Sequence, residues 1–265
     1  MSTQARTTTL ARPAGFIGDV RTVATRALRS IPRDPEGVIP ALVIGVFFFG
    51  MNIGAMQDFA RSIPGLDYKA FALPPAIIFA ITGASRAVTL VTDIQNGYFD
   101  RLSLTPVNRL ALLLGLMVSD VALVIGLTLP VVLLGFIIGV RFETGLLGVM
   151  MLTLMAAMWG LAFTGIPYAI ALKTGNPAAV NMSFLLFLPL MFITTVSLPQ
   201  DALTSWMSTI ATYNPVTYVL SALRSLISEG WNWAALAKGL IAIGAVWAIS
   251  LSLALIALRG RVQRR

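Results

Sequence analysis

Two residues of opposite charge, Arg86 and Asp120, lie inside long apolar stretches of the sequence. Placing a charge at the centre of a membrane-spanning helix costs about 2.5–3.5 kcal/mol. The two stretches follow each other in the sequence and would run antiparallel. One interpretation is therefore an ion pair that neutralises both charges and fixes the register of the two helices. The alternative is a site for a proton or a substrate.

Most catalytic chemistry lacks its usual residues in this protein. The sequence has no Cys and no His, which excludes disulfides and thiolate metal sites and removes the commonest general base. Lys occurs only as Lys69, Lys173 and Lys238, and none of them follows the glycine-rich turn of a nucleotide-binding P-loop. We expect no catalytic residue, no metal and no cofactor in this protein.

The sequence contains six long apolar stretches, and Arg86 and Asp120 lie within the second and third of them. Hydrophobic residues make up 57% of the sequence and charged residues 11%, with a mean hydropathy of +0.84. A membrane-spanning helix needs about 20 apolar residues. The sequence therefore predicts an all-α membrane protein with six transmembrane helices. The predicted spans are 37–56, 73–91, 110–140, 146–172, 178–198 and 233–258, and the third is long enough to tilt or to break at Pro130.

The basic residues are distributed unevenly between the two sides of the predicted spans. Lys and Arg number 19 against 11 acidic residues, a net charge of +8. The arginines concentrate in both terminal tails and in the loop after the second span. This asymmetry predicts a multi-pass protein of the cell membrane with both termini in the cytoplasm. The membrane surface explains the basic excess better than nucleic acid does.

The N-terminal segment, 1–35, carries apolar residues at three- and four-residue steps, with arginines mostly on the other face. The stripe consists of Phe16, Ile17, Val20, Val23, Ala24, Ala27, Leu28 and Ile31. One interpretation is an amphipathic helix on the inner leaflet, where arginines reach acidic lipid headgroups. The other is a partly ordered, solvated tail. Residues 36–258 form the span domain, and 259–265 form a basic cytoplasmic tail.

The loop after the second span, 93–109, mixes charges, aromatic residues, a glycine and a proline. Gly97 allows a turn. Pro106 suits the first position of the following helix. The loop has apolar residues for contacts at Tyr98, Phe99, Leu102 and Leu104. A short helix lying across the spans and an ordinary connecting loop are both consistent with this pattern.

The segment 199–233, on the opposite side, has two apolar stripes at helical spacing, separated by Asn214 and Pro215. Such stripes need cover, and non-helical backbone at membrane depth is tolerated where protein surrounds it. We expect two short re-entrant helices before the last span. Arg224, on the second helix, would face headgroups or a carboxylate such as Glu229.

Two landmarks in the sequence resemble those of type-2 ATP-binding-cassette exporter permeases, most closely the daunorubicin-resistance subtype. The first landmark is the loop, with its acidic residue, glycine, Asp-Arg pair, proline and arginine in the family's order. The second is YNPVTY at 213–218, followed by ALR at 222–224. The resemblance covers essentially the whole sequence. Many family members have a Glu-rich start to the loop, whereas here the acidic residues are Asp93 and Asp100.

The resemblance implies a homodimeric or heterodimeric membrane subunit. A separate ATPase, which holds ATP and Mg, would dock on the N-terminal helix and the loop. The implied coupling residues are Asp93, Gly97, Tyr98, Phe99, Asp100, Arg101, Leu102, Pro106 and Arg109. An outer gate is implied at Asn214, Pro215 and Arg224, where two short helices would cap an export pathway between the subunits.

The function predicted on this basis is ATP-driven export of an amphipathic, drug-like or lipid-like substrate from the cytoplasm. The apolar spans and the lack of a charged cavity suggest that substrate class. Two alternatives stay open. One is an ion-coupled secondary transporter that uses Arg86 and Asp120, and the other is a membrane scaffold or enzyme without transport.

Overall fold

The computed structural model of the protein describes residues 15–33, 35–98 and 109–263, and the regular elements within these ranges are helices. The α-helices, numbered in sequence order, are α1 (Phe16–Ser30), α2 (Pro35–Ala60), α3 (Tyr68–Thr82), α4 (Ala87–Gln95), α5 (Arg109–Ile138), α6 (Gly145–Thr174), α7 (Pro177–Met182), α8 (Phe187–Phe192), α9 (Ser205–Tyr213), α10 (Pro215–Arg224) and α11 (Trp233–Gln263). Short 3₁₀ turns lie at Ile31–Arg33, Ser183–Leu186 and Gln200–Ala202, and a π-helical turn, Ser225–Glu229, follows α10.

Five helical segments are long and apolar enough to cross a membrane. They are Gly37–Ala60, Tyr68–Gln95, Leu110–Ile138, Gly145–Thr174 and Trp233–Arg261. Each exceeds the roughly 20 residues that a span requires. The prediction of a helical, multi-pass membrane protein is therefore confirmed. The third span does not break at Pro130, because α5 continues through this residue.

The predicted fifth span, 178–198, is not a continuous helix of that length. Its apolar helical stretch is Pro177–Phe192, and a 3₁₀ turn divides this stretch into α7 and α8. Pro189, inside α8, has no N–H with which to continue the helical hydrogen bonds. The backbone then leaves the helix at Ile193, which has φ −93° and ψ 54°. The six-span count is therefore not confirmed by helix length.

The predicted second span is interrupted. α3 ends at Thr82, residues 83–86 are non-helical, and α4 begins at Ala87. The Ser85 hydroxyl accepts a hydrogen bond from the N–H of Ala87 (3.0 Å), as serines do at helix starts. The N–H of Arg86 donates to Oδ1 of Asp120 on α5 (2.8 Å). Side chains therefore supply partners that the broken helix lacks.

The buried apolar side chains form two clusters. The main cluster joins α2 and α3 to parts of α5, α6, α8, α10 and α11. The α1-side cluster joins parts of α1, α4, α5, α6, α7 and α11. On each span that belongs to both clusters, the change from one to the other falls at buried polar residues. These residues, which we call the polar layer, are Arg86, Ser119, Asp120, Thr164 and Ser250.

The helices α6 and α11 approach each other closely at the polar layer, where Gly165 faces the backbone of Ser250. A Cβ atom at Gly165 would lie 2.5 Å from both the carbonyl carbon and the carbonyl oxygen of Ser250. We expect Gly165→Ala to force the helices apart and to destabilise the protein by about 1–3 kcal/mol, as overpacking does. The measurement is the thermal melting temperature in detergent.

Gly126→Ala is the matched control, because a Cβ atom at Gly126, in the middle of α5, meets nothing within 4 Å. Both substitutions gain the same helix propensity. Equal melting temperatures for the two variants would contradict the close approach at Gly165.

Candidate functional site

Asp120 is fully buried in α5 and accepts hydrogen bonds from two other elements. Its Oδ1 accepts the main-chain N–H of Arg86 at 2.8 Å, and its Oδ2 accepts the hydroxyl of Tyr168 on α6 at 2.7 Å. The two charged residues singled out in the sequence therefore meet. Their contact runs through the main chain of Arg86, whereas the sequence suggested an ion pair between side chains. The carboxylate joins the start of α4 to α5 and α6.

The guanidinium of Arg86 contacts the last turn of α1. Its Nη2 donates to the carbonyl oxygen of Ala27 (3.3 Å) and to the hydroxyl oxygen of Ser30. Carbonyls in the last turn of a helix lack intrahelical partners and carry partial negative charge. The guanidinium of Arg86 supplies a hydrogen-bond donor to this turn, and its positive charge offsets the partial negative charge there. The polar layer thus continues from α6 through Asp120 and Arg86 to α1.

A second contact between α1 and α4 lies closer to the loop. Nη2 of Arg26 is 2.5 Å from Oδ2 of Asp93, and the Arg26 guanidinium carbon lies 4.6 Å from the ring centre of Tyr98. Burial lowers the pKa of the Arg26 guanidinium, but its hydrogen bond and Coulombic attraction to Asp93 outweigh that effect and raise the pKa above its ordinary value. Since exposed pairs stabilise by about 1 kcal/mol or less, this contact mainly sets geometry.

Of the predicted coupling loop, 93–109, the structure describes residues 93–98 and Arg109. Tyr98 is 38% exposed. Gly97 has φ +67°, a left-handed conformation that glycine adopts without strain. Arg109 is the first residue of α5. The predicted coupling residues Phe99, Asp100, Arg101, Leu102 and Pro106 lie outside the described residues.

The apolar stripe of α1 faces two different environments, protein along one part and the outside of the protein along the other. Near its middle the stripe packs on α5, where a Cβ atom at Gly115 would lie only 2.6 Å from Cβ of Val23. Ala24 and Ala27 are buried. The exposed members of the stripe are Phe16, Ile17 and Leu28. The predicted helix is therefore present, and protein covers part of the face that the sequence assigned to the membrane surface.

Two further side chains donate hydrogen bonds to carbonyl groups at the C-terminal end of α6. Nε2 of Gln95 donates to the carbonyl oxygen of Gly175 (3.0 Å), and Nη1 of Arg261 donates to that of Leu172 (2.8 Å). Neither these residues nor Tyr168 and Ser30 were expected from the sequence. A single polar residue leaves no periodic pattern, and the one available signal was a tyrosine within a largely apolar span.

Asn214 connects the outer segment, 199–233, to the end of α8. Its Oδ1 accepts the N–H of Val216 (3.0 Å), which caps α10, and Pro215 takes the first helical position. Its Nδ2 donates to the carbonyl oxygens of Leu190 (2.6 Å) and Ile193 (2.9 Å). Asn214, at the break between α9 and α10, therefore binds the backbone carbonyls where α8 unwinds.

Arg224 has different partners from those expected. Its guanidinium donates to the carbonyl oxygen of Phe71 (3.1 Å) and to both Oγ1 (2.9 Å) and the carbonyl oxygen (2.6 Å) of Thr195. It also lies 3.4 Å from the centre of the Phe71 ring. Glu229, its expected partner, instead accepts a hydrogen bond from Asn232. The carbonyl of Thr195 lies in the unwound segment after α8. The carbonyl of Phe71, inside α3, has no helical partner because Pro75 lacks an N–H. Both attract this arginine into the protein.

The polar groups of these sites act through hydrogen bonds and charge. Within residues 15–33, 35–98 and 109–263, no group of three or more His, Cys, Asp or Glu side chains is arranged to hold a metal ion.

A family match covers most of this architecture. Residues 20–227 match the ABC-2 type transporter family, a range that includes the loop after α4 and both Asn214 and Arg224. The protein belongs to the ABC-2 type transporter family. Together with the five apolar spans, this membership makes it a multi-pass ABC transporter permease.

Similar proteins have names that agree with this class. The sequence is 26% identical over 209 residues to the daunorubicin resistance ABC transporter permease protein DrrB1 of Streptomyces coeruleorubidus, and the match covers 76% of this protein and 72% of that one. It is 24% identical over 218 residues to the probable doxorubicin resistance ABC transporter permease protein DrrC of Mycobacterium tuberculosis, covering 81% and 79% respectively. The putative transport permease ycf38 of Cyanophora paradoxa is 24% identical over 226 residues, covering 82% and 77%.

The contacts of Asp120 predict energetic coupling between this residue and Tyr168. Asp120→Asn and Tyr168→Phe each disturb the same buried hydrogen bond, so each should destabilise the protein by about 1–3 kcal/mol. The double variant should lose less than the sum, because the interaction can be removed only once. Thermal melting temperatures in detergent provide the measurement.

Ser119→Ala is the control for this cycle, since the Ser119 hydroxyl, as far as the described residues go, bonds within its own helix, to the carbonyl oxygen of Leu116 (2.6 Å). Strictly additive losses for Asp120→Asn and Tyr168→Phe would show that the hydrogen bond carries no coupling energy.

Proposed function

We propose that this protein is the membrane subunit of an ATP-driven exporter and that a separate ATPase subunit binds ATP and Mg. The observation that carries the proposal is the family match over residues 20–227. The relatives named as daunorubicin and doxorubicin resistance permeases support export of an amphipathic, drug-like or lipid-like substrate. The large apolar side chains exposed on the spans suit lipid and a second permease copy or a homologous permease.

We propose six membrane crossings with both termini in the cytoplasm. Two observations support a sixth crossing by residues 177–198, although the helix there is short. Val180 belongs to the α1-side cluster, whereas Phe187, Met191 and Val196 belong to the main cluster, so the segment passes the level of the polar layer. The even number of crossings agrees with the arginine-rich tails at both ends.

The ATPase would dock on α1 and on the loop after α4. Support comes from the contacts of Asp93 and Tyr98 with Arg26, which place the start of the loop beside α1. Phe99 and Leu102 would insert into a groove of the ATPase, while Asp100 and Arg101 would make contacts at its rim. ATP binding would then move α1 and the loop, and tilting of the spans would open the subunit interface outward.

The outer gate would consist of α9 and α10, dipping into the outer leaflet. α10 is buried along most of its length, at Val216, Thr217, Val219, Leu220, Ala222 and Leu223. α9 instead exposes Trp206 (61%) and ends at Tyr213 (84%). Aromatic side chains this exposed suit the membrane interface or a partner subunit. Asn214 lies between the helices and binds carbonyls at the end of α8, which supports a re-entrant turn.

The docking proposal predicts that Phe99→Asp with Leu102→Asp abolishes association with the ATPase, because two carboxylates cannot enter an apolar groove without losing hydration. Insertion into the membrane should stay normal. The measurement is recovery of the ATPase when the tagged permease is purified from membranes, together with substrate-stimulated ATP hydrolysis.

Phe59→Asp with Ile63→Asp is the matched control, since these residues lie at the opposite ends of the spans, around the end of α2. Normal ATPase recovery with the loop variant would show that the loop is not the docking site. Transport that survives ATP depletion but requires a proton gradient would favour a secondary transporter instead.

The gate proposal predicts that Pro215→Ala and Arg224→Ala reduce export and leave ATPase recovery normal. Arg224→Ala leaves the Thr195 and Phe71 carbonyls without their donor, which should loosen the end of α8. Arg61→Ala is the control, because Arg61 is exposed and its ion pair within the described residues is the local one with Asp58, three residues earlier. The measurements are drug efflux from cells and ATPase recovery.

Protease added to intact cells tests the re-entrant arrangement directly. Segment 199–233 should resist cleavage despite its length, because α10 is buried and α9 lies in the interface. Rapid cleavage between Leu203 and Leu226 would falsify the gate.

A further inference from the structure

The guanidinium of Arg224, on α10, lies between two parts of the protein that are far apart in sequence. On one side is α3, where Nε of Arg224 donates to the carbonyl oxygen of Phe71 (3.1 Å) and the guanidinium carbon lies 3.4 Å from the centre of the Phe71 ring. On the other side is the unwound segment 193–199, where Thr195 accepts from Nη1 (2.9 Å) and Nη2 (2.6 Å). One side chain therefore joins α10 to α3 and to the segment that follows α8.

A proline explains why the Phe71 carbonyl is available to this arginine. In an α-helix, the carbonyl of one residue accepts the N–H of the residue four positions later. For Phe71 that residue is Pro75, which has no N–H, although α3 continues as a helix from Tyr68 to Thr82. Phe71 is buried, and buried carbonyls find a hydrogen-bond donor almost without exception. Arg224 supplies the donor that Pro75 cannot supply.

Other contacts hold α3 and the unwound segment against each other. The ring of Tyr68 stacks on the ring of Phe71, with 5.9 Å between the ring centres. The Tyr68 hydroxyl lies 3.1 Å from the carbonyl oxygen of Ser197, and the Ser197 hydroxyl donates to Oδ1 of Asn52 on α2 (3.1 Å). The first turn of α3 and the middle of α2 therefore bind the unwound segment independently of α10. The acceptors on α3 and on the segment are thus held at a defined separation.

Arg224 depends on each of its acceptors. It is partly buried, and a charge withdrawn from water is costly unless it is hydrogen-bonded. No ion pair involves Arg224 within residues 15–33, 35–98 and 109–263. Neutral oxygens and an aromatic ring therefore have to compensate its charge. If a helical N–H occupied the Phe71 carbonyl, the guanidinium would have to share this acceptor or lose it.

We propose that Pro75 is a positioning residue for the outer gate. Because it has no N–H, it keeps the Phe71 carbonyl free for Arg224 and thereby fixes α10 against α3. The proposal rests on the proposed function, since the outer gate is part of that function. It adds α3, which is not itself part of the gate, to the elements that set the position of α10.

The dependence of Arg224 on Pro75 is measured on the permease alone, as thermal melting temperatures in detergent. Arg224→Met keeps an unbranched side chain but removes every N–H donor, so it should lower the melting temperature. In the Pro75→Ala background, the new N–H at position 75 can bind the Phe71 carbonyl. The drop caused by Arg224→Met should then be smaller by about 2–4 °C, the shift expected for one ordinary hydrogen bond in a protein of this size.

Pro74→Ala is the matched control, because Pro74 is the neighbouring buried proline of the same helix. Its new N–H would point to the carbonyl of Ala70, four residues earlier, rather than to that of Phe71. Arg224→Met should therefore lower the melting temperature by the same amount with Pro74→Ala as in the unsubstituted protein. Equal drops in the Pro74→Ala and Pro75→Ala backgrounds would overturn the proposal.

The consequence for the gate is measured with the ATPase bound, as the rate at which daunorubicin enters inside-out vesicles. Pro75→Ala should lower this rate by about 2- to 10-fold, which corresponds to the loss of one ordinary hydrogen bond. Recovery of the ATPase should stay normal. Pro74→Ala should transport at the unsubstituted rate. Equal rates for the two proline variants would overturn the proposal.

A backbone ester separates the missing N–H from the proline ring. Lactic acid, inserted at position 75 by stop-codon suppression, has the side chain of alanine but provides an ester oxygen in place of the N–H. This variant should transport at the unsubstituted rate and should restore the full effect of Arg224→Met on the melting temperature. Transport at the Pro75→Ala rate would show that the ring is what matters, and would overturn the proposal.

The ester variant also decides the question if Pro75→Ala does not fold, because it is compared directly with the unsubstituted protein. An unsubstituted permease that recovers no ATPase and moves no daunorubicin would count against the proposed function. The melting temperatures do not depend on transport, so they would still show whether Pro75 keeps the Phe71 carbonyl free for Arg224.

Discussion

Backbone groups inside hydrocarbon have no water to bind, and this constraint explains the arrangement around Asp120. The interruption at residues 83–86 leaves N–H groups at the start of α4 without helical partners. Asp120 accepts one from Arg86, and Ser85 accepts the next from Ala87. A buried carboxylate is itself costly. The hydroxyl of Tyr168 compensates part of that cost. The break and the acid therefore satisfy each other's hydrogen bonds at this depth.

The same constraint applies where α8 unwinds. Carbonyls freed at Leu190 and Ile193 bind the amide of Asn214, and the carbonyl of Thr195 binds Arg224. In both places a polar side chain from a distant helix satisfies an irregular backbone. The difference is the type of group: freed N–H groups recruit a carboxylate, and freed carbonyls recruit an amide and a guanidinium. Each interruption therefore lies beside a side chain of the complementary hydrogen-bonding type.

The sequence predicts those features that depend on local composition. Apolar length predicts six spans, five of which match helical segments long enough to cross a membrane, and the helical stripe predicts α1. The meeting of Arg86 and Asp120 followed from antiparallel neighbours, although its geometry did not. The break at residues 83–86 is too short to lower the hydropathy of the surrounding stretch. The partners of Asn214 and Arg224 lie far away in sequence, so no local pattern indicated them, whereas Pro189 was a local sign that the helix would end early. The positions of Tyr168 and Ser30 were missed for the same reason.

The interrupted second span and the interrupted apolar segment Pro177–Phe192 meet in the fold. A Cβ atom at Gly83 would lie 3.1 Å from the ring of Phe184, which belongs to the 3₁₀ turn between α7 and α8. α5, α6 and α11 instead run through both apolar clusters as continuous helices. Bending a continuous helix strains its hydrogen bonds, whereas a non-helical segment changes its dihedral angles at lower cost. The interruptions at residues 83–86 and Ser183–Leu186 therefore lie side by side, where the backbone is less constrained than in α5, α6 or α11.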